Sequence, residues 1–140
     1  MITSKRLILA VDFDGTIVEN RYPEIGKPMI FAFDTLKKLQ SEGFILILWT
    51  YRCGEKLDEA VEFCKKNGIE FYAVNNSYPE EKYTENISRK INADIFIDDR
   101  NVGGFLGWGE IYRELMGEDD DLRKLESSKK GFLKSLFNID

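Results

Sequence analysis

The segment Val11-Asp12-Phe13-Asp14-Gly15-Thr16-Ile17 continues the apolar run Leu7-Ile8-Leu9-Ala10-Val11. Such a run is typical of a parallel strand buried on both faces. Because side chains alternate along a strand, Asp12 and Asp14 are predicted to point to the same side. Two carboxylates this close repel each other, and a divalent cation with oxygen ligands is the usual compensation. The alternative is an acidic turn in which Asp14 makes only a local backbone hydrogen bond.

The rest of the chain alternates between apolar runs and amphipathic stretches. Runs at 44–49, 69–74 and 93–97 predict three further strands. Apolar residues at helical spacing predict one helix that begins near Pro28 and stops at Gly43, followed by others along 57–64 and 111–116. A short helix is expected around Ile87, and a final amphipathic helix is predicted in the tail, residues 119–137. This alternation predicts a single α/β domain over residues 1–140, with a mainly parallel, Rossmann-like sheet flanked by helices.

Composition limits the functional classes. The chain has 140 residues, a net charge of -5 and no histidine, which excludes Ser-His-Asp triads and histidine-based zinc sites. The acidic balance argues against nucleic acid as a main partner. No run is long enough for a membrane span and no signal peptide is evident. Since the two cysteines show no zinc or redox spacing, we expect a reduced, cytoplasmic location.

Several polar residues stand just past the predicted strands. In open α/β sheets ligands bind at the carboxyl ends of the strands. Because these residues all fall at that edge, the sequence predicts one site built largely from carboxylates. The residues are Asp12, Asp14, Thr50, Asn75, Asp98 and Asp99.

These motifs resemble those of the haloacid dehalogenase-like hydrolase superfamily. The first family motif, Asp-x-Asp-Gly-Thr after an apolar strand, is similar to residues 12–16. The second, a Thr or Ser at a strand end, matches Thr50, and the acidic pair of the fourth matches Asp98 and Asp99. The matches span most of residues 7–101 and imply a three-layer, Rossmann-like fold. The segments 15–28 and 75–92 are too short to form a cap domain with its own core, so the resemblance is to a small capless member.

The resemblance implies a magnesium-dependent phosphatase. Asp12 would attack phosphorus and form an aspartyl-phosphate. Asp14 would protonate the leaving oxygen and then activate the hydrolytic water. Thr50 would donate a hydrogen bond to the phosphoryl group. Magnesium would bind Asp12, the backbone carbonyl of Asp14, Asp98 and, through water, Asp99.

The third family motif is a lysine, for which Lys90 is the preferred candidate and Lys82 the alternative. Tyr51 and Arg52 follow Thr50, and we expect them to contact the substrate, with Arg52 holding a second anionic group.

The expected substrate is a small phosphorylated metabolite or nucleotide. One alternative is a phosphatase for a nucleic-acid or protein end, which an open site would permit. Another is a phosphoacceptor or binding domain without turnover. The apolar residues of the tail suggest that it packs on the domain or on a second copy, giving a homo-oligomer.

Overall fold

A computed structural model describes residues 7–117, so the predicted tail helix at 119–137 lies outside the described residues. The fold is α/β and Rossmann-like, with four parallel strands in the order β3-β2-β1-β4. The strands are β1 (Ile8–Val11), β2 (Ile45–Leu48), β3 (Ala73–Val74) and β4 (Ile95–Ile97).

The strand order creates a switch point beside β1. The chain runs outward from β1 through β2 to β3 and then returns to place β4 on the other side of β1. Leu9 pairs with Leu46 on one side and with Ile95 on the other. Ligands of open α/β sheets bind outside the carboxyl ends of the strands at such a reversal. Asp12 and Asp98, each one residue past a strand, flank this point.

Within residues 7–117, three helices cover one face of the sheet: α1 (Ala32–Ser41), α2 (Gly54–Lys66) and α3 (Trp108–Met116). Leu36, Cys64 and Ile111 of these helices belong to the larger buried cluster. The opposite face has a smaller cluster to which the loop before β4 contributes Ile91. Right-handed crossovers explain this arrangement, because the return from β3 to β4 reverses direction and passes over the other face.

The predicted strands are confirmed with shorter bounds, while two helix predictions need correction. Helix α1 begins at Ala32 rather than near Pro28, because Pro28 forms an antiparallel bridge with Val18 in the preceding loop. No helix forms around Ile87. There the hydroxyl of Thr84 accepts a hydrogen bond from the backbone N–H two residues later, a local bond that competes with helix formation.

None of the helices in the described part of the chain is long and apolar enough to cross a membrane.

Candidate functional site

A cavity of about 790 Å³ opens at the carboxyl edge of the sheet. This volume is in the range of small-molecule sites. Its lining includes both acidic and aromatic side chains. The lining residues are Asp12, Asp14, Asn20, Tyr22, Trp49, Thr50, Tyr51, Asp98 and Arg100.

Three carboxylates meet beside the switch point. One oxygen from each of Asp12, Asp98 and Asp99 lies within 4.8 Å of the others. Hard divalent cations bind several carboxylate oxygens at such sites. These three side chains therefore fit the metal ligand set expected from the sequence. Asp14 differs, since its carboxylate points to Arg52, and only its backbone carbonyl was expected to bind a metal.

The carboxylate cluster perturbs Asp12. Burial raises the pKa of Asp12 to about 8, helped by a hydrogen bond with the Asp99 carboxyl and by the charge of Asp98. The backbone N–H of Phe13 and the hydroxyl of Thr16 oppose this shift. A bound cation also favours the ionised carboxylate, so metal binding and ionisation of Asp12 are expected to support each other.

Gly15 and Thr16 allow the carboxylates of Asp12 and Asp99 to lie close to the turn after β1. Gly15 has φ +90°, and a Cβ atom there would collide with the carboxylate of Asp99. The position therefore requires glycine for its conformation and for its space. Thr16 is fully buried, and its hydroxyl lies 3.1 Å from Asp12 Oδ2 and 3.3 Å from Asp99 Oδ1.

Trp108 contacts the same turn from the protein interior. Its indole Nε1 donates a 2.7 Å hydrogen bond to the carbonyl oxygen of Thr16, and its side chain is buried. Trp108 is therefore a residue of the core. Helix α3 thus braces the turn that carries the acidic residues.

Asp14 is held by a buried arginine. Arg52 Nε donates to Asp14 Oδ2 at 2.8 Å, and Nη2 donates to Oδ1 at 2.9 Å. The Arg52 side chain is fully buried, while that of Asp14 is 14% exposed. Such bidentate contacts fix a carboxylate in both position and orientation.

The prediction that Arg52 contacts the substrate is therefore wrong. Two further donors bond to backbone carbonyls, with Nη2 donating to Glu24 at 2.8 Å and Nη1 to Lys56 at 3.3 Å. The guanidinium also lies 5.1 Å from the ring centroids of both Phe13 and Tyr22. A buried arginine with these partners has no surface left for a ligand, and its role is to hold Asp14 and the loop of Tyr22 in place.

Thr50 is presented to the cavity by its neighbours. Its backbone N–H donates to Asn75 Oδ1 at 2.8 Å, and its hydroxyl oxygen accepts a 3.1 Å bond from the Arg52 N–H. The hydroxyl proton is thus left to donate to a ligand. Asn75, with φ +54°, supports this loop from the end of β3, a role that the sequence did not reveal.

Neither candidate lysine lines the cavity. The Lys90 ammonium lies 5.6 Å from the ring centroid of Phe96, which in turn packs against Trp49 of the cavity wall. Within residues 7–117, Lys90 and Lys82 make no ion pair with a carboxylate. The choice between them stays a prediction.

Tyr51 and Arg100 complete the rim. Tyr51 lines the cavity, as expected for a substrate contact, and is 90% exposed. Arg100 also lines it and has no ion-pair partner among the residues that the structure describes. Its place directly after Asp99 at a strand end is the sequence signal that could have identified it as a residue of the site.

Comparison with known proteins identifies a relative. A solved structure, described as a conserved protein from Bacteroides thetaiotaomicron, is 56% identical and matches with a TM-score of 0.77. The match covers 82% of this chain and 93% of that one. The chain belongs to the family of this protein. Neither a protein-family model nor a curated protein matches the sequence.

In this member of the family, the site combines three kinds of group. The carboxylates of Asp12, Asp98 and Asp99 fit a hard cation. The Thr50 hydroxyl and the Arg100 guanidinium offer hydrogen-bond donors, and the carboxylate of Asp14, fixed by Arg52, lies close by. Donors and a cation at one edge suit an anionic ligand. The arrangement is chemically suited to nucleophilic attack by a carboxylate with proton transfer by another.

Proposed function

We propose that this protein is a magnesium-dependent phosphatase that hydrolyses a phosphate monoester through an aspartyl-phosphate. The observation that carries the proposal is the cluster of Asp12, Asp98 and Asp99, whose oxygens lie within 4.8 Å of one another. Asp12 and Asp98 of this cluster line the cavity. The resemblance of residues 12–16 to the first motif of haloacid dehalogenase-like hydrolases gives this cluster its chemical interpretation.

Asp12, Asp98 and Asp99 are the residues that would hold magnesium. When bound, the ion stabilises negative charge on phosphoryl oxygens and keeps neighbouring carboxylates ionised. The proximity of the three carboxylates in a partly buried site fits this role. Without a cation, burial and the neighbouring Asp98 and Asp99 favour the protonated form of Asp12, whereas a bound cation would favour its ionised form.

Asp12 is the proposed nucleophile. One of its carboxylate oxygens forms a bond to phosphorus, and the bond to the leaving oxygen breaks. The hydroxyl of Thr16, 3.1 Å from Oδ2, orients the carboxylate. Water then attacks the phosphorus of the aspartyl-phosphate, which releases inorganic phosphate and restores Asp12.

Asp14 is the proposed proton carrier. It gives a proton to the leaving oxygen and later takes one from the attacking water. Arg52 acts through Asp14 as a positioning residue, because its two donors fix both carboxylate oxygens at the cavity. Thr50 donates its hydroxyl proton to a phosphoryl oxygen, and Lys90 is the proposed cation that offsets phosphoryl charge.

The direct test is phosphate release from a generic aryl phosphate with and without magnesium. The proposal predicts many turnovers per protein molecule with magnesium and loss of activity in excess EDTA. A stable label at one phosphoryl group per molecule would instead indicate a phosphoacceptor domain. Full activity in EDTA would contradict the metal requirement.

A further inference from the structure

The rim of the cavity carries two exposed tyrosines on different loops. Tyr22 is 48% exposed and Tyr51 is 90% exposed, and their ring centroids lie 6.4 Å apart at an interplanar angle of 71°. Other tyrosines of the chain are also exposed, Tyr72 for example at 47%, but that residue does not line the cavity. The location of Tyr22 and Tyr51 next to the acidic residues is what distinguishes them.

Tyr22 lies in a loop, and its ring contacts a buried arginine. The guanidinium of Arg52 lies 5.1 Å from its ring centroid, and the same arginine bonds to the carbonyl of Glu24 in the same loop. Because Arg52 is itself buried and paired with Asp14, the ring is fixed relative to the acidic residues. A fixed aromatic surface binds a ligand at a low cost in conformational entropy.

The cavity is much larger than a phosphoryl group needs. Its volume of about 790 Å³ leaves room for an organic leaving group beyond the phosphorus that Asp12 would attack. The lining of the same cavity contains the aromatic side chains of Tyr22, Tyr51 and Trp49. Rings in water bind planar partners by stacking, whereas an aliphatic group gains less from them.

We infer that Tyr22 and Tyr51 form a stacking platform, and that the substrate is a phosphate monoester whose leaving group carries a planar aromatic ring. That the ligand is a substrate rests on the proposed function, whereas the preference of the two tyrosines for a planar ring does not. Two sources share the chemistry: a ring close to the phosphate, as in a benzyl ester, and a ring one sugar away, as in a nucleoside monophosphate.

Matched pairs of esters separate stacking from leaving-group reactivity. Adenosine 5′-monophosphate and ribose 5-phosphate share the same primary alcohol leaving group and differ in the base. Benzyl phosphate and cyclohexylmethyl phosphate differ mainly in whether the ring is planar. We expect kcat/KM to favour the aromatic member of at least one pair by about tenfold or more, as stacking on an aromatic side chain commonly provides. The pair with the larger ratio identifies the distance between ring and phosphate.

Tyr51→Ala should reduce that ratio toward one, and Tyr72→Ala, a tyrosine away from the cavity, should leave it at the wild-type value. Ratios near one for both pairs, or ratios that Tyr51→Ala does not change, would overturn the inference. If no ester is hydrolysed, the proposed function fails by itself. The platform is then tested by calorimetric measurement of the affinities of the same four esters for the wild type and for Tyr51→Ala. We expect the aromatic member of at least one pair to bind the wild type about tenfold more tightly and this preference to be lost in Tyr51→Ala. Equal affinities within both pairs, or a preference that Tyr51→Ala keeps, would overturn the inference.

Discussion

Arg52 holds both carboxylate oxygens of Asp14 from the protein interior, at 2.8 and 2.9 Å. The two residues are far apart in sequence, and each lies just past a strand of the sheet. The ion pair therefore joins the ends of β1 and β2 and fixes one of the two motif carboxylates.

Arg52→Met should lower the free energy of unfolding by about 3 to 5 kcal/mol, because it leaves Asp14 in a largely buried position without its partner. It should also lower kcat, since a misplaced Asp14 transfers protons poorly. Urea denaturation and steady-state kinetics measure the two effects. Arg100→Met is the control for stability, because Arg100 is exposed and unpaired among the described residues, and it should change stability by less than about 0.5 kcal/mol. Equal stabilities of wild type and Arg52→Met would contradict this role.

Gly15→Ala should impair both folding and metal binding. The added Cβ is strained at φ +90° and displaces Asp99, so we expect the strain to cost about 1 to 3 kcal/mol and magnesium affinity to fall as well. Gly43→Ala is a matched control, because Gly43 has φ +101° but open space around its Cα. Calorimetric titration with magnesium should show weaker binding for Gly15→Ala alone. Identical metal affinities for the two variants would show that Asp99 does not need this space.

The raised pKa of Asp12 predicts a pH-dependent stability in metal-free protein. Between pH 3.8 and about pH 8, the folded state keeps a proton that the unfolded chain releases, so rising pH favours unfolding through this group. Asp12→Asn should therefore gain stability relative to wild type as pH rises from 4 to 8, and magnesium should reduce the wild-type slope. Thermal unfolding in EDTA across this range measures the difference, and a pH-independent difference would contradict the shifted pKa.

Lys90→Ala should lower kcat by on the order of 10²-fold, if the lysine supplies electrostatic stabilisation to the phosphoryl group. Lys82→Ala is its matched control and should have little effect. Steady-state kinetics at saturating magnesium compare them. The reverse result would assign the role to Lys82, and two active variants would remove the lysine from the mechanism.

The sequence predicted the fold and the acidic cluster well, for a physical reason. Buried parallel strands are marked by apolar runs, and the residues after them must meet at one edge of the sheet. Asp12, Asp98 and Asp99 could therefore be brought together without knowledge of any side-chain contact.

Contacts made by the loops were beyond such reasoning. The burial of Arg52 depends on Phe13, Tyr22 and Asp14, and no local pattern predicts which arginine turns inward. Likewise, the start of α1 was misplaced because Pro28 suits a first helical turn as well as it suits the bridge with Val18 that it forms. Contacts between residues distant in sequence determine both the burial of Arg52 and the first residue of α1.

The proposed mechanism depends on phosphorylation of Asp12, which peptide mapping by mass spectrometry after acid quench detects. The Asp14→Asn variant, which should hydrolyse the intermediate slowly, is mixed with an activated aryl phosphate and magnesium and quenched within the first turnover. We expect one phosphoryl group, located on Asp12, and none in the Asp12→Asn/Asp14→Asn double variant. A phosphoryl group on Asp98 or Asp99, or turnover by Asp12→Asn that is not due to deamidation back to aspartate, would contradict it.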